Sequence, residues 1–114
     1  MLKFDSRDVG DVRVVDLDGQ VDGGPPSTEL HESIKRHLEN GQKKYLLNLE
    51  KVGWVNSLGV GTLVAAYVSA RRSEGDLKFC NATNRVSSVL RTCGVVPDIF
   101  EVFESEQTGL DSFA

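Results

Sequence analysis

The chain has 114 residues, of which 39% are hydrophobic and 26% charged, and carries a formal net charge of -4 at pH 7. That is the make-up of one globular domain with a single core, and it excludes a disordered chain or two full domains. The acidic balance argues against a direct nucleic-acid partner, which needs a basic face, and no apolar run approaches the roughly 20 residues that span a bilayer.

In chain order, Leu2, Phe4 and Ser6 alternate with Lys3, Asp5 and Arg7. Val12 to Leu17 follows after Asp8-Val9-Gly10-Asp11, so two strands joined by a tight turn are predicted. Residues 18–26 carry three glycines and two prolines and are predicted to be a loop. Ser27 or Thr28 then caps a helix on which Leu30, Ile34 and Leu38 form the buried stripe and Asn40-Gly41 the stop. His31 and His37 lie off that stripe and read as solvated.

Tyr45-Leu46-Leu47-Asn48-Leu49 has the near-continuous apolarity of a strand buried on both faces, followed by a linker at residues 50–53. A helix from about Ser57 to Ser73, closed by Gly75, is predicted next. Residues 77–80 form a short strand, and Val86, Val89, Leu90 and Cys93 give an amphipathic helix that stops at Gly94. Residues 99–103 are the last strand candidate, and the tail holds one short helix that Gly109 weakens. The order β-β-α-β-α-β-α-β-α predicts a single α/β domain over residues 1–114, a mixed sheet covered by about four helices.

The start Met1-Leu2-Lys3-Phe4-Asp5 lacks the features of an export signal, so a cytoplasmic location without membrane insertion is expected. Cys80 and Cys93 then read as reduced, partly buried side chains, and with His31 and His37 they show no metal-ligand spacing.

The stretch around which the chain is organised is Trp54-Val55-Asn56-Ser57-Leu58-Gly59-Val60-Gly61, where a strand hands over to a helix. The first amides of a helix lack intrahelical partners and the dipole adds partial positive charge, so Ser57 is placed either to cap the helix or to carry a phosphate. Catalytic readings find few groups. Gly59 and Gly61 lack the third glycine of a dinucleotide turn and the lysine of a phosphate-binding loop. Ser57 has Val55 where a nucleophile elbow has glycine, and neither histidine has a recognisable relation to it. Asp16, Asp18 and Asp22 form a conceivable magnesium cluster, but aspartates are common in turns of this kind.

Taken together, the order and spacing of these pieces resemble the STAS-domain family, specifically the small bacterial anti-sigma factor antagonists. The resemblance covers nearly the whole chain. It rests on the opening hairpin, on Gly19-Gln20-Val21-Asp22 in the place of a "G-x-[LV]-D" turn, and on Leu46-Leu47-Asn48-Leu49 as the central strand. It also rests on Asn56-Ser57-Leu58-Gly59-Val60-Gly61 in the place of a "D-S-[ST]-G-[LV]-G" motif, and on Leu90 to Val95 followed by Ile99-Phe100 as a helix-glycine-strand ending.

The resemblance implies a noncatalytic module without cofactor or metal. By it, Ser57 aligns with the serine phosphorylated by a partner anti-sigma factor that is itself a serine kinase. The unphosphorylated form binds that kinase and frees a sigma factor, and a protein phosphatase restores it after phosphorylation. The implied partner surface is Asp22, Asn56, Ser57, Leu58, Gly59 and Val60. Asn56 replaces the usual aspartate, and Leu58 the usual serine or threonine. The family also contains members that are never phosphorylated, members of larger signalling assemblies, and subunits of membrane-associated transport complexes. Oligomeric state is left open.

Overall fold

The opening alternation folds as a hairpin in the computed structural model, which covers residues 1–114. Strands β1 (Lys3–Val9) and β2 (Val12–Val21) pair antiparallel across Gly10-Asp11, with Gly10 at φ +61°, a conformation glycine adopts without cost. Helix α1 (Pro25–Glu39), β3 (Lys44–Val55), α2 (Ser57–Arg72), β4 (Asp76–Cys80), α3 (Asn84–Thr92), β5 (Val102–Phe103) and α4 (Glu106–Asp111) follow. The five strands lie in sequence order in one mixed sheet, parallel from β2 to β5. Each parallel step returns through a helix, as a parallel pairing requires.

The central strand is apolar on both faces because both faces are covered. Tyr45, Leu47 and Leu49 join the main core with Leu30, Ile34 and Leu38 of α1, Leu63 and Ala66 of α2, and Val86 and Leu90 of α3. Leu46 points the other way, into a smaller cluster with Val12, Val14 and Cys80 that Leu110 and Phe113 cover. Gly109 belongs to that cover rather than weakening it, since a Cβ there would lie 2.8 Å from Leu46 Cδ1. The absent side chain is what lets α4 lie close.

Several elements differ from expectation. β2 continues through residues 18–21 instead of ending at Leu17, and β3 runs on through the expected linker to Val55. The two extensions pair with each other, Asp18 with Lys51 and Val21 with Val55, and Gly19 at φ +115° accompanies the register shifts. A loop-like sequence becomes strand because each half supplies the other's ladder. Helix α1 starts earlier than expected, with Gly24 as its cap and Pro25 in its first turn, where a missing N-H costs nothing. The positive φ near the end of α2 belongs to Glu74 (φ +62°), while Gly75 packs against the Lys43 carbonyl. Only residues 102–103 of the last strand candidate pair with the sheet. Cys93 caps α3 and is exposed, whereas Cys80 is buried, which pushes its thiol up to about 12; both are free. His31 is half-buried, its Nε2 2.9 Å from Ser69 Oγ across the α1–α2 contact.

Arg7 on the edge strand joins β1, β2 and α4. Its Nε donates to Asp16 Oδ2 at 2.8 Å, and its terminal nitrogens donate to Asp16 and Glu106. The guanidinium holds both carboxyls below their ordinary values. Because these folded-state values are depressed, the stabilisation is present above the ordinary carboxylate range and is lost as pH falls through the folded values. The partners are partly exposed, so Arg7→Met is expected to cost only about 1 kcal/mol at neutral pH. Melting curves from pH 7 down to pH 3 check the sign: the variant's deficit should shrink with acidification.

Candidate functional site

Strands β2 and β3 end side by side, Gln20 opposite Trp54 and Val21 opposite Val55. Their continuations therefore begin α1 and α2 at the same edge of the sheet. This edge lies outside the carboxyl ends of the two strands. Here it is built from Asp22-Gly23-Gly24 and Asn56-Ser57-Leu58.

The junction is fixed by the Val21 carbonyl. Asn56 N donates to it at 3.3 Å, and Gly59 is buried against it so closely that a Cβ at Gly59 would overlap it. Asn56 is extended (φ -117°, ψ 179°), its Oδ1 accepts from Gly59 N at 2.8 Å, and its carbonyl accepts from Val60 N at 2.9 Å. Asn56 is thus the N-cap. Ser57, a cap candidate from sequence, is instead the first helical residue, and its exposed hydroxyl is free of that duty. The Ser57 and Leu58 amides have no acceptor within the chain. They face outward at the positive end of a 16-residue helix.

On the other side of the junction, Gly23 has φ +83°, and a Cβ there would lie 2.6 Å from Leu58 Cβ. Asp22 Oδ1 accepts from Gly24 N at 3.0 Å, and Ser27 Oγ accepts from Gly23 N at 3.2 Å. These bonds hold half-buried Asp22 and the glycine pair against the start of α2. Leu58 is 69% exposed, the largest apolar side chain displayed at this edge.

Of the six residues expected at a partner surface, Asp22, Asn56, Ser57 and Leu58 are brought to one place where they reach solvent. Gly59 and Val60 are buried in the same turn of α2. Gly23 and the Val21 carbonyl were missed from sequence. The positive φ of Gly23 was signalled only by the Gly-Gly-Pro-Pro composition, and a backbone acceptor leaves no signal.

The glycine pair at Gly59 and Gly61 does not cradle a phosphate. Gly59 faces the Val21 carbonyl, and Gly61 lies on the open side of α2. Nor are the three aspartates gathered: Asp22 belongs to the helix junction, while Asp16 and Asp18 line a polar groove of about 610 Å³ beside Arg7, Lys3 and Lys51. No group of three or more His, Cys, Asp or Glu side chains is placed to hold a metal ion.

The STAS domain family matches residues 3–109, and the chain belongs to that family. Among solved structures, a putative anti-sigma factor antagonist from Thermotoga maritima superposes with a TM-score of 0.86 at 18% identity, over 96% of this chain and 92% of that one. The anti-sigma factor antagonist SpoIIAA in its unphosphorylated form gives 0.83 at 19% identity, over 97% and 96%. SpoIIAA, a Bacillus cell fate determinant, in its phosphorylated form gives 0.76 at 18%, over 98% and 100%. A sulfate transporter family protein from Wolinella succinogenes gives 0.72 at 15%, over 91% and 85%. At these identities the likeness is one of fold.

Proposed function

We propose that this protein is an anti-sigma factor antagonist controlled at Ser57. In its unphosphorylated form it docks on an anti-sigma factor serine kinase through Asp22, Asn56, Ser57 and Leu58, with Gly59 and Val60 shaping the surface from beneath, and so releases a sigma factor. The kinase transfers a phosphoryl group from ATP to Ser57 Oγ, the hydroxyl proton and ADP leave, and the complex dissociates. A protein phosphatase reverses the step. The chain itself performs no catalysis and needs no cofactor, and its partners place it in the cytoplasm.

The observation that carries this reading is the position of Ser57. Its hydroxyl is exposed at the first turn of a long helix, relieved of capping by Asn56, and flanked by two free amides. A phosphate there adds nearly two negative charges where the helix dipole tolerates them, so the domain keeps its fold while the partner surface loses its charge balance. Asn56 suits the arrangement, because an amide oxygen caps as an aspartate would without repelling the phosphate.

Incubation with the cognate kinase and ATP is expected to add one phosphate, located at Ser57 by mass spectrometry and abolished in Ser57→Ala. A phosphate elsewhere, or none, would remove the switch. The sulfate transporter neighbour supports a second reading, in which this edge holds a transport complex or a larger signalling assembly permanently. Co-purification from native cells separates the two, sigma regulators favouring the first and transporter components the second.

A further inference from the structure

The two faces of the sheet carry unequal weight. The face under α1, α2 and α3 belongs to a main core of 22 buried residues, whereas the opposite face has a cluster of 4, Val12, Val14, Leu46 and Cys80. Residues 105–114, which hold α4, cover that smaller cluster. Of these residues only Gly109 is buried, and Leu110 and Phe113 reach the cluster as half-buried side chains. No residue beyond Phe103 pairs with the sheet. Helix α4 also makes its own start, since Ser105 Oγ accepts from Thr108 N at 3.1 Å, and exposed Glu104 joins it to β5. The segment can therefore leave as a unit without breaking a strand.

One buried charge works against its closure. Leu77 and Phe79 face the main core, so Lys78 faces the other way, and it is only 6% exposed. Its Nζ donates to the Ser112 carbonyl at 3.1 Å and to Ser112 Oγ at 3.0 Å, and lies 4.6 Å from the centre of the Phe113 ring. All three contacts belong to the segment, and none is charged. The nearest carboxylates, Asp76 and Glu101, stand at 4.0 and 3.8 Å, outside hydrogen-bond reach. Neutral acceptors repay poorly what it costs to take an ammonium out of water. At its other end the segment is held by Arg7, which donates to Glu106 in a partly exposed ion pair that favours closure.

We infer that residues 105–114 form a flap that opens while the rest of the domain stays folded, with the ammonium of Lys78 as its spring and the Arg7–Glu106 pair as its latch. A small apolar contact closed over a charge without a hydrogen-bonded counter-ion is a unit of low local stability. Opening returns Lys78 to water and bares Val12, Val14, Leu46 and Cys80. It also removes the wall that Glu106 gives to the polar groove beside Arg7. Val21, Val55 and Val60 stay in the main core, so the edge that carries Ser57 keeps its form. The flap thus switches one face of the sheet and leaves the other alone, and the inference does not depend on the kinase reading.

The two thiols report the opening, because Cys80 is buried beneath the flap and Cys93 is exposed. Ellman's reagent should label Cys93 on mixing and Cys80 in a second phase. That phase should run about tenfold or more faster than global unfolding permits and be nearly independent of low denaturant. Lys78→Met, which keeps the apolar stem without the charge, should slow it about tenfold. Glu106→Gln, which weakens the latch at a partly exposed site, should speed it about fivefold. Cys80 labelling with the rate and full denaturant dependence of global unfolding would overturn the proposal. So would a Lys78→Met protein whose Cys80 reacts as fast as wild type or faster, or a Glu106→Gln protein whose second phase is unchanged.

Discussion

Gly59→Ala is expected to unfold the protein at room temperature or cost about 3 kcal/mol or more of stability, although it adds a single methyl group. In an exposed helix the same change would stabilise by about 1 kcal/mol, because alanine is the better helix former. At Gly59 the new Cβ overlaps the backbone carbonyl of Val21, which cannot rotate away as a side chain would. The strand end is itself held by pairing of Val21 with Val55 and by the bond from Asn56 N. Relief therefore requires α2 to lift off the sheet, which also disturbs Val60 and Leu63 in the core. Gly61→Ala, two positions on and with open space around its Cβ, is the control and should raise stability slightly. Chemical denaturation of the three proteins checks the contrast, and a Gly59→Ala protein as stable as wild type would remove the close packing at this junction.

The second large effect is on binding. Ser57→Glu is expected to weaken docking on the proposed kinase partner by ten- to a hundredfold, about 1.4 to 2.8 kcal/mol, while Ser57→Ala stays near wild-type affinity. The melting temperature of Ser57→Glu should be unchanged or slightly raised, since a carboxylate in the first turn of α2 is favoured by the dipole. Titration calorimetry beside thermal melts gives both quantities. The pairing matters, because lost affinity together with lost stability would point to damage rather than to a charge read by a partner. Full affinity in Ser57→Glu would take Ser57 out of the interface.

Much of this was legible in the residues, for identifiable reasons. The stripe Leu30, Ile34, Leu38 and the apolar run Tyr45–Leu49 follow from periodicity, and all of these apolar side chains are buried. Element order followed from turn residues, and with it the mixed sheet. What escaped was set by tertiary pairing. Residues 18–21 and 50–53 were read as loop and linker, and they are strand because each segment finds the other in the folded chain. The choice between the two readings of Ser57 was open for a local reason: Asn56 and Ser57 are both good capping residues, and only the extended backbone of Asn56 makes it the cap. The strand-to-helix turn at Asn56-Ser57 was legible in the sequence but not its construction, since the carbonyl of Val21 that holds it belongs to a residue whose side chain says nothing about it.

The double use of the Val21 carbonyl, as acceptor for Asn56 and as a seat for Gly59, has a kinetic meaning. The starts of α1 and α2 cannot slide past one another without breaking strand pairing, so the surface that Asp22, Ser57 and Leu58 present is already assembled before any encounter. The proposed partner would wait for no rearrangement there, and association would proceed at the speed of rigid docking. On the proposed function, the timing of a cellular response would then reside in how long complexes last and how often Ser57 is phosphorylated, not in how fast the fold can change.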